Sequence, residues 1–519
     1  MSIDVDGSVY ITGFFTNPIV FGSIPLGSVG AADIYVVKYN ASGNAIWAKS
    51  FGGSGDEGGF GVNADGHGNI YLTGYFSSPT ISFGATILTN AGSNDIYVAK
   101  VSGTTGNVIW AIRDGGVGDD RGNGIKADAF DHVYVTGSFA SATINFGSTT
   151  LTNAGSNDIF VAKYSGTNGN RIWAKGAGGA DDDNGANPND NGGSLTTDVK
   201  GNILIIGYFS SSSITFGSNT LTNSTGSFDL FIAKYDSTGT SKWARSAGGN
   251  GPNNDGAFAI CTDEIGNSFI TGAFDSPIIT FGNTTLTHPL STSGDVLLVK
   301  YDPNGDVVWA KNYGGIGDDL GFGICIDGSG NLYVVGELTS DIASFGSSTL
   351  MNAAAPFGDI FVAKFEASGN VIWATSVPGS NDDFGYDIAL DNTSGAIYIA
   401  GNFASSSLVF GPNILTNSGS SDIYVAKLNS TITSTSKFSL EGLCIYPNPF
   451  NMTATIKLPD KMQNSSLVLF TIYGEPVKSF EPSSSELRIE RENLSAGMYF
   501  LQLTQGKSLI ATQKVVIID

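Results

Sequence analysis

Short apolar stretches recur along most of this chain, and four kinds follow one another in a fixed order. The first ends in glycine, as in IYLTGYF, and the second is a Phe-Gly pair with a short Leu-Thr segment. The third runs from aspartate to lysine, as in DIYVAK, and the fourth carries tryptophan, as in VIWAIRD. β-Branched and aromatic residues bounded by Gly, Asn and Asp are typical of β-strands joined by tight turns. Each copy therefore predicts about four short strands.

The order repeats with a nearly constant period. The strand-ending glycines lie 61 to 70 residues apart, at Gly13, Gly74, Gly137, Gly207, Gly272, Gly336 and Gly401. Every tryptophan in the chain holds one repeat position: Trp47, Trp110, Trp173, Trp243, Trp309 and Trp373. Such self-similarity is typical of propellers, solenoids or arrays. The coils of a β-helix are far shorter, which disfavours a solenoid.

The third segment of each repeat is apolar on both faces. In DIYVAK, Ile96 and Val98 lie on one face and Tyr97 and Ala99 on the other, because successive side chains alternate. Such a sheet must be covered on both sides, and radially stacked blades provide that cover. The sequence therefore predicts an all-β fold with a seven-bladed β-propeller over residues 1–429.

The repeats resemble a known family. GGIGDDLGFGICIDGSGNLYVVGEL and FGSTTLTNAGSNDIFVAKY are similar to the bacterial SBBP repeats, a seven-bladed β-propeller repeat family. The resemblance covers the chain from residue 1 to about residue 430. It implies the fold and no single activity.

One asymmetry concerns the ends of the repeat region. There are seven strands of the first and third kinds but six tryptophan strands. The start, MSIDVDGSVY, also lacks the basic and apolar regions of a signal peptide. We therefore expect that Met1 is not the natural start, and that a lost N-terminal piece carried the signal sequence and the seventh tryptophan strand. The alternative is that STITSTSKFSL, which follows the last repeat, fills the open edge.

The C-terminal region differs in composition. Residues 430–441 are rich in Ser and Thr, as in a linker. Residues 442–519 contain short apolar stretches separated by glycines, which predicts a small immunoglobulin-like β-sandwich.

This domain also carries a recognisable pattern. YPNPF, IYGEPV and LSAGMYFLQL, with KVVI near the end, resemble the C-terminal sorting domain of the bacterial type IX secretion system. The resemblance implies a partner, the secretion machinery, and a secreted or outer-membrane surface location in a Gram-negative host of the Bacteroidetes group. The residues that carry the sorting pattern are Tyr446, Pro447, Asn448, Pro449, Gly497 and Tyr499.

Net charge and hydropathy narrow the classes of partner. The formal charge of −22 over 519 residues repels nucleic-acid phosphates, and no basic stripe offsets it. No apolar run approaches the roughly 18 residues that a transmembrane helix needs. We therefore expect neither nucleic-acid binding nor a membrane span.

Acidic loops between repeats are the best candidates for a site. Clustered carboxylates with backbone carbonyls could supply the six to eight oxygens that Ca²⁺ prefers, although Gly-Asp-Asp also favours tight turns. Both readings stay open, and no other cofactor is expected. The candidate residues are Asp119, Asp120, Asp181, Asp182, Asp318, Asp319, Asp382 and Asp383.

Two further residue types hold fixed repeat positions. A lysine ends each third strand, and we expect it to pair with a nearby loop carboxylate. Cys261 and Cys325 occupy the same position in neighbouring repeats. They are expected either to form a disulfide bridge or to be two small half-buried residues.

These patterns favour a non-catalytic protein. No Ser, Cys and His arrangement suggests a triad, and the paired carboxylates repeat instead of forming one unique pair. We expect a surface module that binds a glycan or a protein. The alternatives are a passive envelope protein and a secreted polysaccharide-acting enzyme, with the irregular acidic loop 178–194 as a candidate place for a unique site.

Overall fold

The computed structural model describes most of the chain: residues 1–185, 195–223, 226–249, 255–288, 293–352, 354–428, 444–446, 448–458, 465–471, 476–480, 486–505 and 508–518. Across these residues the regular secondary structure consists of β-strands, which confirms the all-β class. The chain divides into two compact units, Met1–Ser430 and Thr431–Asp519. The predicted linker 430–441, Pro447 and part of the acidic loop 178–194 lie outside the described residues.

Among the described residues of the N-terminal unit, seven antiparallel sheets of three or more strands follow one another in chain order and are here called sheets 1 to 7. Within each sheet the strands are called inner, second, third and outer, in sequence order. Sheets 1 to 3 comprise Ser2–Ile3, Val9–Phe15, Asp33–Tyr39 and Ala45–Phe51; Glu57–Ala64, Asn69–Phe76, Asp95–Ser102 and Val108–Asp114; and Asp120–Ala127, His132–Phe139, Asp158–Ser165 and Arg171–Ala177.

The remaining sheets repeat this order. In sheet 4 the inner strand is described in two pieces, and in sheet 7 the described strands are three. Sheets 4 to 7 comprise Asp183–Asn184 with Leu195–Thr197, Ile203–Phe209, Asp229–Tyr235 and Ser241–Ala247; Asp255–Thr262, Ser268–Phe274, Asp295–Tyr301 and Val307–Tyr313; Asp319–Ile326, Leu332–Leu338, Asp359–Phe365 and Val371–Val377; and Asp383–Asp391, Ala396–Phe403 and Asp422–Leu428.

A two-stranded hairpin connects the second and third strands of every sheet. The Phe-Gly pair forms its turn, and in every sheet except sheet 5 the phenylalanine packs on an aromatic residue of the third strand, for example Phe83 on Tyr97 at 5.0 Å between ring centroids. The hairpins are Ile19–Phe21 with Ile24–Leu26, Thr80–Phe83 with Thr86–Thr89, Thr143–Phe146 with Thr149–Thr152, Ser213–Phe216 with Asn219–Thr222, Ile278–Phe281 with Thr284–Thr287, Ile342–Phe345 with Ser348–Met351, and Ser407–Phe410 with Asn413–Thr416.

The sheets pack face to face in a closed cycle. Each inner strand contacts the inner strand of the next sheet, and that of sheet 7 contacts that of sheet 1. Outer strands contact the hairpin of the following sheet instead. The apolar clusters span neighbouring sheets: Tyr97 and Ala99 face sheet 1, whereas Ile96 and Val98 face sheet 3. Burial on both faces of one strand therefore explains its continuous apolar pattern.

The repeated glycine of the second strand is required by a bulge in the inner strand. The pairing register shifts by one residue at the bulge, for instance between Gly59 and Gly61. At the bulge the carbonyl oxygen of Gly58 lies against the second strand. A Cβ added to Gly74 would be 1.9 Å from this oxygen. Side chains cannot approach a carbonyl so closely, so glycine is the residue that fits.

The C-terminal unit contains two sheets around one core. The strands are Cys444–Tyr446, Thr453–Lys457 and Glu486–Glu490 in one sheet, and Pro476–Phe480, Ser465–Thr471, Gly497–Gln505 and Ser508–Ile517 in the other. Ile456 and Ile489 of the first sheet share a buried cluster with Leu469 and Leu501 of the second. This is a two-sheet sandwich, and its immunoglobulin-like classification stays a prediction.

Candidate functional site

The second carboxylate of each acidic loop is buried and anchors a turn. Asp120 is fully buried at the start of the inner strand of sheet 3. Its carboxylate accepts hydrogen bonds from the backbone N–H of Gly116 at 2.7 Å and from the Ser141 N–H and hydroxyl at 3.1 and 2.6 Å. The same serine bond is made by Glu57, Asp183, Asp255, Asp319 and Asp383.

The first carboxylate of the loop reaches back to the preceding sheet. Asp119 accepts a hydrogen bond from Asn94 Nδ2 at 2.8 Å and a bidentate pair from Arg121 at 2.8 and 2.9 Å. Asp182, Asp318 and Asp382 accept equivalent bonds from Asn157 Nδ2 and from the N–H groups of Gly294 and Gly358. Asp181 is exposed and stands one position outside this pattern.

Calcium binding by these loops stays a prediction. Among the described residues no group of three or more His, Cys, Asp or Glu side chains is arranged to hold a metal ion. The loop carboxylates described above accept hydrogen bonds from N–H and O–H groups. This agrees with the interpretation that the Gly-Asp-Asp pattern forms tight turns.

A second carboxylate lies close to each aspartate anchor and is the aspartate that begins the third strand of the preceding sheet. Asp229 is 8% exposed, and its Oδ1 has no hydrogen-bond partner. Burial, together with the charge of Asp255, raises the pKa of Asp229 to about 7. The pKa values of Asp158 and Asp359 rise to about 6 for the same two reasons. These aspartates therefore bind protons more tightly than an ordinary aspartate does.

The lysines of the third strands make two interactions, one within their own sheet and one to the next. Lys234 lies 2.9 Å from Asp198, in the turn between its inner and second strands. Its Nζ and the Trp243 indole N–H both donate to the carbonyl of Pro303 in sheet 5, at 3.3 and 3.1 Å. The prediction that this lysine pairs with a carboxylate of the acidic loop is therefore wrong for Lys234, whose partner lies at the other end of the inner strand. Lys38, Lys100 and Lys364 lie within 4 Å of equivalent carboxylates.

Aromatic side chains project from the inner strands at the bulges. Phe258 and Phe322 of neighbouring sheets stack with ring centroids 5.8 Å apart, and Phe322 meets Tyr386 at 5.7 Å. Tyr386 in turn stacks on Phe384 at 5.4 Å and 2°. We call these four residues the aromatic arc. All four are half-buried, so part of each ring surface stays accessible. We call the bulged ends of the inner strands, from Gly59–Gly61 in sheet 2 to Gly385–Asp387 in sheet 7, the rim.

Two charged residues lie beside the bulges, Arg121 half-buried and Glu337 buried. In sheets 2 and 3, the Arg121 guanidinium lies 4.7 Å from the Tyr75 ring centroid, and Tyr75 contacts Phe60, the bulge residue of sheet 2. In sheet 6, burial and the charges of Asp382, Asp318 and Asp319 raise the pKa of Glu337 to about 8. A protonated Glu337 can donate as well as accept hydrogen bonds.

The sequence reasoning missed the aromatic arc. Its signal is an aromatic residue that follows a small one at the same repeat position, as in Ala257-Phe258, Gly321-Phe322 and Gly385-Tyr386. The signal is informative only once the bulge is known, because the inserted residue interrupts the alternation of side chains between the two faces of the strand.

Cys261 and Cys325 are free and half-buried.

The sorting-pattern residues help to close the C-terminal sandwich. Asn448 Oδ1 accepts the N–H of Val516 at 2.7 Å, and Phe450 N–H donates to the Val516 carbonyl at 3.0 Å. Gly497 begins the strand that pairs with the last one, and the buried Tyr499 donates its hydroxyl to the Ser495 carbonyl at 2.9 Å. Pro449 and Tyr446 are exposed, and the Tyr446 hydroxyl lies 3.5 Å from Glu486.

Residues 444–518 match the family of secretion system C-terminal sorting domains. The match confirms the predicted sorting domain and indicates export to the cell surface or the medium. No helix among the described residues is long and apolar enough to cross a membrane.

The repeat region has distant relatives. An uncharacterized WD repeat-containing protein, L264 of Acanthamoeba polyphaga mimivirus, is 30% identical over 185 residues, which are 32% of this chain and 13% of that protein. The regulatory protein FlaEY of Caulobacter vibrioides is 24% identical over 34% of this chain and 19% of its own length. This chain thus spans a fifth or less of either relative.

Some solved structures show a weak likeness to this chain. A protein of unknown function from Bacteroides caccae has a TM-score of 0.34 and 10% identity, over 70% of this chain and 93% of that one. The surface component PorZ of the type IX secretion system of Porphyromonas gingivalis has a TM-score of 0.20 and 12% identity, over 95% and 75%. At such TM-scores the likeness supports no inference about function.

Proposed function

We propose that the N-terminal unit is a seven-bladed β-propeller of the SBBP kind that binds a glycan at the surface of a bacterium of the Bacteroidetes group. The closed cycle of inner strands supports the blade count, since sheet 7 contacts sheet 1 as each other sheet contacts its successor. Neighbouring sheets also share apolar clusters, and one of these contains Tyr398 of sheet 7 and Val9 of sheet 1. This packing of the last sheet on the first further supports seven blades.

The aromatic arc carries the binding proposal. Flat aromatic faces beside a few polar groups are typical of small-ligand sites, and sugar rings offer apolar C–H faces with hydroxyls at their edges. Stacking on the accessible ring surface of Phe258 and Phe322 would hold one sugar ring. No nucleophile or unique acid pair is needed for this role, and the proposal is non-catalytic.

The C-terminal domain supplies the route to the surface. We propose that the type IX secretion machinery recognises its sorting pattern, so that the propeller is displayed outside the outer membrane or released. A rigid frame with one decorated rim suits a protein that meets its ligand there.

A glycan and polysaccharide array probed with the full chain tests the binding proposal. Phe322→Ala removes the central ring of the arc, and Phe130→Ala serves as the control, because Phe130 is a 75% exposed aromatic in the turn at the other end of an inner strand. We expect selective binding that weakens about tenfold or more in Phe322→Ala and stays unchanged in Phe130→Ala. A blank array, or equal binding by both variants, would refute the proposal.

The same array in chelator tests calcium at the loops. The proposed ligands are the carboxylates of Asp119, Asp120, Asp181, Asp182, Asp318, Asp319, Asp382 and Asp383. Loss of binding together with a lower Tm in chelator would support calcium. Unchanged binding and Tm would leave the carboxylates with the turn-anchoring role that their hydrogen bonds describe.

A further inference from the structure

The junction between sheets 2 and 3 contains a cation of the protein itself. The Arg121 guanidinium forms a bidentate pair with Asp119 at 2.8 and 2.9 Å, and it lies 4.7 Å from the centroid of the Tyr75 ring. One side chain thus neutralises a loop carboxylate and covers an aromatic face. An ion pair combined with a cation–π contact favours a positive charge at this position.

The equivalent positions between sheets 6 and 7 carry different residues. Glu337 takes the position of that tyrosine, Phe384 that of the arginine and Asp382 that of the aspartate. A loop carboxylate and an aromatic ring are therefore present again, but a second carboxylate is added and the arginine is replaced. Phe384 lies two residues after Asp382 and belongs to the aromatic arc, so the acidic pair adjoins the proposed glycan site.

Glu337 lies inside this acidic group without a donor. Its side chain belongs to a residue that is 7% exposed, and the charges of Asp382, Asp318 and Asp319 act on it with no hydrogen bond from a described residue to offset them. Its Oε1 and the Oδ1 of Asp382 flank Gly358: the Gly358 N–H donates to Asp382 at 3.0 Å, and a Cβ there would lie 2.0 Å from Glu337. Buried charges are normally paired, and a cation would supply the pair.

A second acidic pair lies between sheets 5 and 6. Asp275 and Asp318 flank Gly294 in the same way: the Gly294 N–H donates to Asp318 at 2.8 Å, and a Cβ there would lie 2.5 Å from Asp275 Oδ1. Burial, with the charges of Asp318 and Asp255, raises the pKa of Asp275 to about 6. The two acidic pairs therefore occupy the junctions of sheets 5 to 7, which are the sheets that carry the aromatic arc.

We propose that the rim over sheets 5 to 7 binds a glycan whose sugars carry free primary amines, an inference that rests on the glycan binding proposed above. One ammonium group lies between Glu337 and Asp382 and donates charge-assisted hydrogen bonds to them. A second lies between Asp275 and Asp318. Sugar faces stack on the arc, whose rings also attract the neighbouring ammonium groups. Neutral sugars would leave both acidic pairs uncompensated, and acidic sugars would add to the repulsion.

Two oligosaccharides that differ in charge test this inference. The probes are a linear glucosamine hexamer and its fully N-acetylated form, each titrated into the full chain by calorimetry at neutral pH. We expect the glucosamine hexamer to bind more tightly by about tenfold or more, because acetylation removes the charged donors. Equal affinities would overturn this inference and leave glycan binding intact, whereas no saturation by either probe up to about 1 mM would refute both.

Matched variants separate the acidic pair from the overall charge. A chain of net charge −22 attracts any polycation, so Glu264→Gln is the control, at an exposed residue in the turn at the other end of the inner strand of sheet 5. We expect Glu337→Gln to weaken binding of the glucosamine hexamer about tenfold or more and Glu264→Gln to leave it unchanged. Asp382→Asn is the second test of the pair and should act as Glu337→Gln does.

Thermal melts of the variants and the parent show whether the fold is intact. Equal binding by folded Glu337→Gln and Glu264→Gln proteins would assign the attraction to diffuse charge and overturn the proposal. A lysine hexapeptide that binds more tightly than the glucosamine hexamer would reassign the site to basic peptides and overturn it as well.

Discussion

At the scale of single residues, buried carboxylates decide more of this structure than its surface charge does. Burial raises the pKa of Asp255, and the donors from Ser276 and from the N–H of Gly249 offset part of that rise. Asp229 nearby has a buried oxygen without a partner. No donor on that oxygen offsets the negative charge of Asp255, which therefore raises the pKa of Asp229. Of the two aspartates between sheets 4 and 5, Asp255 anchors a turn, whereas Asp229 is destabilising when ionised.

Replacing Asp229 by asparagine tests this difference through pH. Because its pKa is about 7 in the folded protein and about 4 in an unfolded chain, the folded state binds the proton more tightly. Its contribution to stability is full below about pH 4 and is lost as the pH rises through about 7. We expect Asp229→Asn to raise the Tm at pH 8 and to reduce the stability difference between pH 5 and pH 8.

Asp255→Asn is the matched control for that measurement. It removes an acceptor of several donors, so the Tm should fall at both pH values. Thermal melts of the three proteins at pH 5 and pH 8 decide the matter. An equal fall of Tm in both variants would mean that Asp229 is ionised and stabilising.

At the scale of elements, the outer strand joins each sheet to the next. Trp243 is 7% exposed, packs within the apolar cluster shared by sheets 4 and 5, and donates its indole N–H across the junction. Trp47, Trp110, Trp173 and Trp309 make the same indole bond, which explains why tryptophan rather than phenylalanine holds this position in these outer strands.

Trp243→Ala should therefore weaken the junction strongly. Removing a large buried aromatic side chain costs about 3–5 kcal/mol, and urea unfolding of the full chain would report this as a lower transition midpoint. Val308→Ala on the outer strand of sheet 5 is the control, since Val308 is 52% exposed and should change stability by less than about 0.5 kcal/mol. A midpoint for Trp243→Ala equal to that of Val308→Ala would contradict the proposed junction.

At the scale of the whole molecule, the chain carries one unit that presents a rim and another that carries a sorting pattern. The C-terminal unit has its own buried core, which includes Ile456 and Leu501. Its match to a sorting-domain family concerns residues 444–518 alone. Export should therefore depend on this unit and binding on the other.

Deleting residues 444–518 separates these two roles. In a bacterium with type IX secretion, we expect the shortened chain to stay inside the outer membrane, as measured by protease accessibility on whole cells. Met452→Ala, a change at a 72% exposed residue of the sorting domain, should reach the surface normally. Surface display of the deletion protein would show that another segment directs export.

Much of this organisation can be predicted from the sequence because it depends on local alternation. The apolar faces of DIYVAK, the glycines at turns and the single tryptophan position specify strands, their order and the all-β class. The C-terminal sorting pattern is likewise contained in short contiguous segments such as LSAGMYFLQL.

The tertiary structure alone decides which side chains meet across sheets. The lysine of a third strand pairs with a turn carboxylate such as Asp198 instead of the acidic loop, because the inner strand brings that turn beside it. Phe258 and Phe322 are 64 residues apart in sequence and become neighbours through the bulges and the stacking of sheets 5 and 6. Side-chain alternation specifies the face on which a residue lies, but the contacts between faces depend on long-range packing.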